Sequence, residues 1–336
     1  MRLSILDQAP IPQGSTSTDA LQFTKALATL GDELGYHRLW MAEHHNGTSF
    51  SSSAPEITIA HLAAQTKRIR LGTGGVMMMH YSPLKMAEVF KTLSALAPNR
   101  IDFGVGRAPG GDHYSIHALA QGKAYQPDDQ YDKLATTLQL INDQKTNDPL
   151  YNQVIASPHE VALPEAWLLG SSGNSARQAG KQGVGYSFAQ FFNGEMSKEI
   201  FDTYRHYFEP SYFMPDPIIS VSYAVTVAET KDEAEFLALP IDLARLFLMR
   251  GRLPQTLSPE DAQQYPLTEM DRAILAKNRS LHLVGTPKEV SNQLLEEKET
   301  FGFDEVMINS NQYSFESRLN VYRLMAKELL NKPATK

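Results

Sequence analysis

Along the chain, short apolar runs alternate with longer segments in which apolar positions return every three or four residues. The short runs are Arg2–Leu6, Arg38–Ala42, Arg70–Thr73, Ile101–Val105, Ala166–Leu169, Gly185–Phe188, Ile219–Val227 and Glu305–Ile308, and each is expected to be a strand. Helices are expected near Thr18–Leu34, Pro55–Thr66, Pro83–Leu96, Asp128–Asn142, Gly173–Gln182, Glu195–Phe208, Asp232–Met249, Pro287–Phe301 and Phe315–Leu330. Strands separated by helices argue for βαβ units and a parallel sheet. Local signals agree. Ser82-Pro83 and Thr286-Pro287 each set a capping oxygen before a proline at the first helical position, where the missing N–H costs nothing. Gly35 is placed to end the first helix in a left-handed conformation. Eight strands, each followed by a helix, is the count of a closed barrel, and a doubly wound open sheet is the alternative that strand count does not separate from it.

Two spacings are stretched, Val105 to Ala166 and Val227 to Glu305, and they imply insertions at about 110–165 and 250–284. Long insertions in a compact barrel are usually lids or binding loops. With 336 residues, 42% hydrophobic and 21% charged, the chain can bury a sizeable core and is too apolar for disorder. No linker composition marks a boundary, so a single domain spanning 1–336 is expected. Lys and Arg total 31 against 38 for Asp and Glu, a net charge of −7 without any basic run, which argues against a nucleic-acid partner. The lack of cysteine excludes disulfides, thiolate zinc sites and cysteine nucleophiles. The opening MRLSILDQAP is broken by Asp7 and Pro10, too early for a signal peptide, and no run approaches the roughly 18 apolar residues of a membrane helix. A cytoplasmic protein with no membrane partner is expected.

Polar and glycine-rich groups collect after the strands rather than before them. Asp7-Gln8 follows the first, Glu43-His44-His45-Asn46 the second, Gly74-Gly75 the third, Gly106-Arg107 the fourth, and Gly170-Ser171-Ser172-Gly173-Asn174-Ser175 the fifth. Active sites of parallel barrels lie at that end. Adjacent strand residues point to opposite faces, so His44 and His45 are not expected to share a metal ion. One histidine serves the cavity as an acid/base, or both are satisfied by local hydrogen bonds. Gly170–Ala176 runs from strand to hydroxyl residues to helix, and free N–H groups at a helix start seat a phosphate. Simple N-capping by Ser172 explains the same residues. Arg107 is either a bidentate cation for that phosphate or a surface ion-pair partner. Gly104-Val105-Gly106 with Gly110 imitates a dinucleotide fingerprint, but the last glycine is one place too far and Pro109 intrudes. Met77-Met78-Met79, Phe188, Phe191 and Phe192 are expected mostly in the core.

AEHHN, then LGTGGVMMMHYSPLKMAEVFKTLSALAPNRIDFGVGRAPGG, then LLGSSGNSARQAG resemble, in order, the motifs of the luciferase-like monooxygenases. This family includes bacterial luciferase and the alkane and alkanesulfonate monooxygenases. The similarity covers nearly the whole chain and is densest from Met1 to Asp112. The resemblance implies a (β/α)8 TIM barrel with insertions after strands 4 and 7. It further implies a homodimer that uses reduced FMN from a separate flavin reductase, with O2, to oxygenate a small organic substrate. A non-prolyl cis peptide would map to Gly74–Gly75, under the flavin ring. His44 would be the catalytic acid/base, with Glu43 beside the flavin. Arg107 would hold the phosphate with Gly170, Ser171, Ser172 and Ser175, while Asp7 and Tyr114 are candidates by position alone. Gly106 stands where luciferase carries a reactive cysteine, so no thiol chemistry transfers. A second phosphate arginine has no evident counterpart near Gly122-Lys123, with Lys123 a candidate substitute, and Arg272, Lys277 or Arg279 would help close a lid over about Arg250–Ser280. Two rivals remain on the same barrel: a deazaflavin-dependent hydride-transfer enzyme and a non-catalytic flavin-binding protein.

Overall fold

A computed structural model describes residues 1–123, 129–193, 195–252 and 254–330. Its strands are β1 (Arg2–Asp7), β2 (Arg38–Met41), β3 (Arg70–Thr73), β4 (Val76–Met77), β5 (Ile101–Gly106), β6 (Glu165–Gly170), β7 (Gly185–Ala189), β8 (Ile219–Val227), β9 (His282–Gly285) and β10 (Glu305–Asn309). All pair in parallel, in the order β10-β1-β2-β3-β5-β6-β7-β8. β10 also pairs with β8, Glu305 opposite Ser220 through Asn309 opposite Ala224, and this closes an eight-stranded barrel. Helices lie between the strands, so the fold is the (β/α)8 TIM barrel and the open sheet is excluded. β4 extends the β3 position along β5, and β9 adds to the C-terminal half of β8.

All eight expected strands form, with ends shifted by at most one residue. The helix expected over Pro55–Thr66 ends instead at Ala63. The reason is Asp32, whose carboxylate accepts from the N–H groups of Lys67, Arg68 and Ile69 and turns the chain into β3. The Asp128 start expected for the next long helix lies outside the described residues; the helix runs over Gln130–Ile141. Between β5 and β6 the chain also forms a helix over His113–Leu119, capped by Asp112. The polar stretch 250–284 contains two helices, Pro259–Gln264 and Glu269–Asn278, capped by Ser258 and Thr268. Pro259–Gln264 is too short and polar to show a period, and Glu269–Asn278 buries only Asp271, so its apolar residues mark no core face; the caps are the available signal.

The barrel interior explains which end is open. Inward positions of β2, β5, β6 and β10 bring Arg38, Asp102, Glu165 and Glu305 together at the N-terminal floor. Arg38, fully buried, donates to Asp102 at 2.7 Å, Glu165 at 3.1 Å and Glu305 at 2.9 Å. Arg70 reaches the other Asp102 oxygen at 2.6 Å. The Arg38 guanidinium lies 4.6 Å from the Trp167 ring, and Trp167 meets Trp40 edge-on with centroids 5.3 Å apart. Both indoles fit because their neighbours lack side chains: a Cβ on Gly185 would lie 2.4 Å from Trp167, and one on Gly72 would lie 2.9 Å from Trp40. Leu6, Ala42 and Met307 pack on this layer. The floor is plugged, so ligands are left the C-terminal rim.

Candidate active site at the C-terminal rim

At the β3 end the Gly74–Gly75 peptide is cis, as the resemblance implied. No side chain fits there, since a Cβ on Gly74 would lie 2.8 Å from Leu6 and one on Gly75 would lie 2.7 Å from the Gly106 nitrogen. A Cβ on Gly106 would meet nothing closer than the Met77 sulfur at 3.5 Å, an ordinary packing contact. Glu43 holds this platform in place. Its carboxylate accepts from the Met77 N–H at 2.8 Å and the Tyr81 hydroxyl at 2.7 Å, and pairs with His45 Nε2 at 2.7 Å. Glu43 has no solvent exposure. It therefore shapes the platform through β4.

His44 and His45 diverge as strand alternation requires. His45 turns to Glu43 and meets His80 edge-on, while His44 stacks on Phe50 with centroids 4.5 Å apart. His44 Nδ1 lies 3.1 Å from the Ser52 hydroxyl, and Nε2 lies 3.4 Å from the Gln8 amide nitrogen. Burial, which disfavours the charged ring, pushes its pKa down to about 4; Glu43 opposes the shift and His45 adds to it. His44 is thus a neutral imidazole at ordinary pH, able to take a proton.

On the other side of the platform, the register Val105 opposite Leu168 carries Arg107 and Gly170 to the same level of adjacent strands. Arg107 is exposed, and its guanidinium is 3.4 Å from the Tyr131 hydroxyl. Ser172 caps the helix Gly173–Lys181 in a reciprocal box with Ser175. The Ser175 hydroxyl also lies 3.1 Å from that of Tyr186 and is buried, so it supports the turn and is not presented to a ligand. The first-turn N–H groups of Gly173 and Asn174 lie outside the helical ladder. Ser171 completes this rim segment. Of the two expectations for the serines, the structure bears on the capping one: Ser172 is a cap.

Asp7 stands apart from the other candidates. Its buried carboxylate accepts from Arg318 at 2.8 Å, the Thr24 hydroxyl at 2.5 Å and the Ala9 N–H at 2.9 Å, locking β1 to helices Ser17–Leu34 and Phe315–Leu329. Alternation sends Asp7 outward and its neighbour Gln8 inward, so the carboxylate expected at the cofactor by position alone faces the surrounding helices instead. Tyr114 is exposed on the helix after β5 and touches His113. Arg279 pairs with Glu235 and Asp242 on helix Lys231–Met249, which anchors the base of the 250–281 segment. Met77, Met78, Met79 and Phe188 are buried as expected, but Phe192 is 62% exposed. Among the described residues, no helix is long and apolar enough to cross a membrane.

The luciferase-like monooxygenase family matches residues 1–305 of this chain. The chain belongs to that family. It is therefore an oxygen-incorporating oxidoreductase, and a flavin monooxygenase in general terms. N-acetyl-S-alkylcysteine monooxygenase of Bacillus subtilis is 38% identical over 311 residues, covering 92% of each chain. The solved structure of apo-MsnO8 superposes with a TM-score of 0.88 at 35% identity, covering 99% of this chain and 98% of that one. The oxygenating constituent of 3,6-diketocamphane monooxygenase from Pseudomonas putida, solved with FMN, shares the fold at a TM-score of 0.72 and 19% identity, over 98% and 97% of the two chains.

Proposed function

We propose that this monooxygenase takes reduced FMN from a separate reductase and, with O2, oxygenates a small organic substrate, working as a cytoplasmic homodimer. The observation that carries this reading is the sequence of groups around one rim: an anion seat at β5 and β6, a side-chain-free platform at β3 and β4, and a neutral imidazole at β2. The donor set fits the nucleotide. Arg107 and the Gly173 and Asn174 N–H groups suit a phosphate dianion, and the diglycine platform suits a planar ring. When bound, reduced FMN supplies the electrons and the position at which O2 reacts. The protein's own tasks are then to grip the phosphate through Arg107, support the ring through the platform that Glu43 clamps, and move a proton at His44 Nε2. The 250–281 segment would exclude water, with Arg279 fixing its base.

Replacing Arg107 by Ala is expected to weaken FMN binding about 10- to 100-fold, the scale of a lost charge-assisted contact. Riboflavin binding should be unchanged, and an equal loss for both ligands in titration would reject the phosphate role. The function itself is tested by O2 uptake with photoreduced FMN over a panel of thioethers, aldehydes and sulfonates. Uptake that rises with one substrate class, together with an oxygenated product, supports the reading. Oxidation of reduced deazaflavin with reduction of a carbonyl compound and no O2 uptake would replace it with hydride transfer. Flavin binding without turnover in either assay would leave only a flavin carrier.

A further inference from the structure

Three neighbouring strand ends, β10, β1 and β2, converge on His44 with side chains that no motif singled out. Inward alternation in β1 sets Gln8 above Leu6, and in β10 it sets Asn309 above Met307, which packs against Leu6 in the barrel interior. The amide nitrogens of Asn309 and Asn311 approach Gln8 Oε1 at 2.8 and 2.6 Å. Two donors on one oxygen settle which way the Gln8 amide lies. Its oxygen is taken, and its nitrogen is the end left facing His44 Nε2. An amide nitrogen can only donate, so Nε2 must be the bare, accepting ring nitrogen. The ring proton is then on Nδ1, where the Ser52 hydroxyl, 3.1 Å away, receives it.

We infer that Gln8, oriented by Asn309 and Asn311, is a positioning residue that fixes His44 in the Nδ1–H tautomer with a basic Nε2 at the rim. The inference rests on the acid/base role proposed for His44. It adds the group that decides which nitrogen does the work and which way the proton travels. At 3.4 Å the Gln8 contact is long for a hydrogen bond, so it biases the ring without closing the lone pair to a reacting proton. The titratable groups acting on the ring are Glu43 and His45 on its own strand end. From β1 and β10, the side chains that meet it directly or through Gln8 are neutral amides, and from the 50–52 loop they are Phe50 and the Ser52 hydroxyl.

Two near-isosteric variants test this. Gln8→Glu offers Nε2 an acceptor in place of a donor. Asn309→Asp removes a donor from the Gln8 oxygen and frees that amide to turn over, without touching His44. Ring-nitrogen NMR of the full chain labelled at histidine, with His44 identified by the signal lost in His44→Ala, reads the tautomer directly. The expected results are Nδ1–H in the wild type and a shift toward Nε2–H in both variants. The acid limb of kcat should move up by at least one pH unit in Gln8→Glu, because a carboxylate at the ring favours its charged form. KM for reduced FMN should stay within twofold, and kcat should fall within the about 10²–10⁴-fold that a positioned acid/base contributes. A wild-type ring protonated on Nε2, or a tautomer unmoved in both variants, would overturn the inference. A switched tautomer with unchanged turnover supports the positioning of the ring and overturns the acid/base reading of His44, so the two failures are distinguishable.

Discussion

Arg38→Met is expected to cost about 3–5 kcal/mol of folding stability, because it strips the cation from a floor of buried carboxylates. Asp102 and Glu305 have no solvent exposure, and Arg38 is the shared partner of both and of Glu165. Asp102 keeps Arg70, but the Glu305 carboxylate loses its ion-pair partner. Methionine fills much of the volume, so the loss reports charge rather than a cavity. Denaturant unfolding should show the midpoint falling with little change in slope. The pH dependence gives a second check. Burial opposes ionisation of Asp102, yet Arg38 and Arg70 hold its carboxyl below the ordinary value of 3.8. The stability it contributes is complete above that value and is lost as pH falls through the lower folded one. In the variant the cost is that of a buried carboxylate left without its cation, and acid pH relieves a cost of that kind by neutralising the charge. The stability gap should therefore narrow toward acid. A loss below about 1 kcal/mol at neutral pH, or a gap constant with pH, would show that the floor does not depend on this guanidinium.

His44→Ala should lower product formation by about 10²–10⁴-fold while FMN affinity stays within about twofold. The ring sits at the rim against Phe50, away from the phosphate seat proposed at β5 and β6, which is why binding and turnover should separate. In the wild type the ring remains neutral until pH falls to about 4, so the proton-accepting form persists throughout the range from 5 to 8. The acid limb of kcat should lie near 4 and not near 6.5, and it should vanish in the variant. Equal product yield from His44→Ala would remove this histidine from the chemistry.

Sequence alone settled the parts of this protein that depend on neighbours along the chain. Strand runs such as Ile219–Val227 are apolar because both faces of a barrel strand are covered, and caps such as Ser82-Pro83 act within one helical turn. The diglycine at 74–75, the histidine pair and the hydroxyl segment after Gly170 were legible for the same reason: each motif is contiguous. Closure of the barrel was legible through the family resemblance and not from the strand pattern, since it depends on β10 meeting both β1 and β8, pairings between distant parts of the chain. The Arg38 to Glu305 pair spans 267 residues and the Asn309 to Gln8 bond 301, and no local period records such distances. The two-residue period of β1 places Asp7 and Gln8 on opposite faces but does not say which face is the interior. Only the assembled barrel decided that the acid locks helices from outside while the amide faces His44, because inside and outside exist only once the sheet has closed.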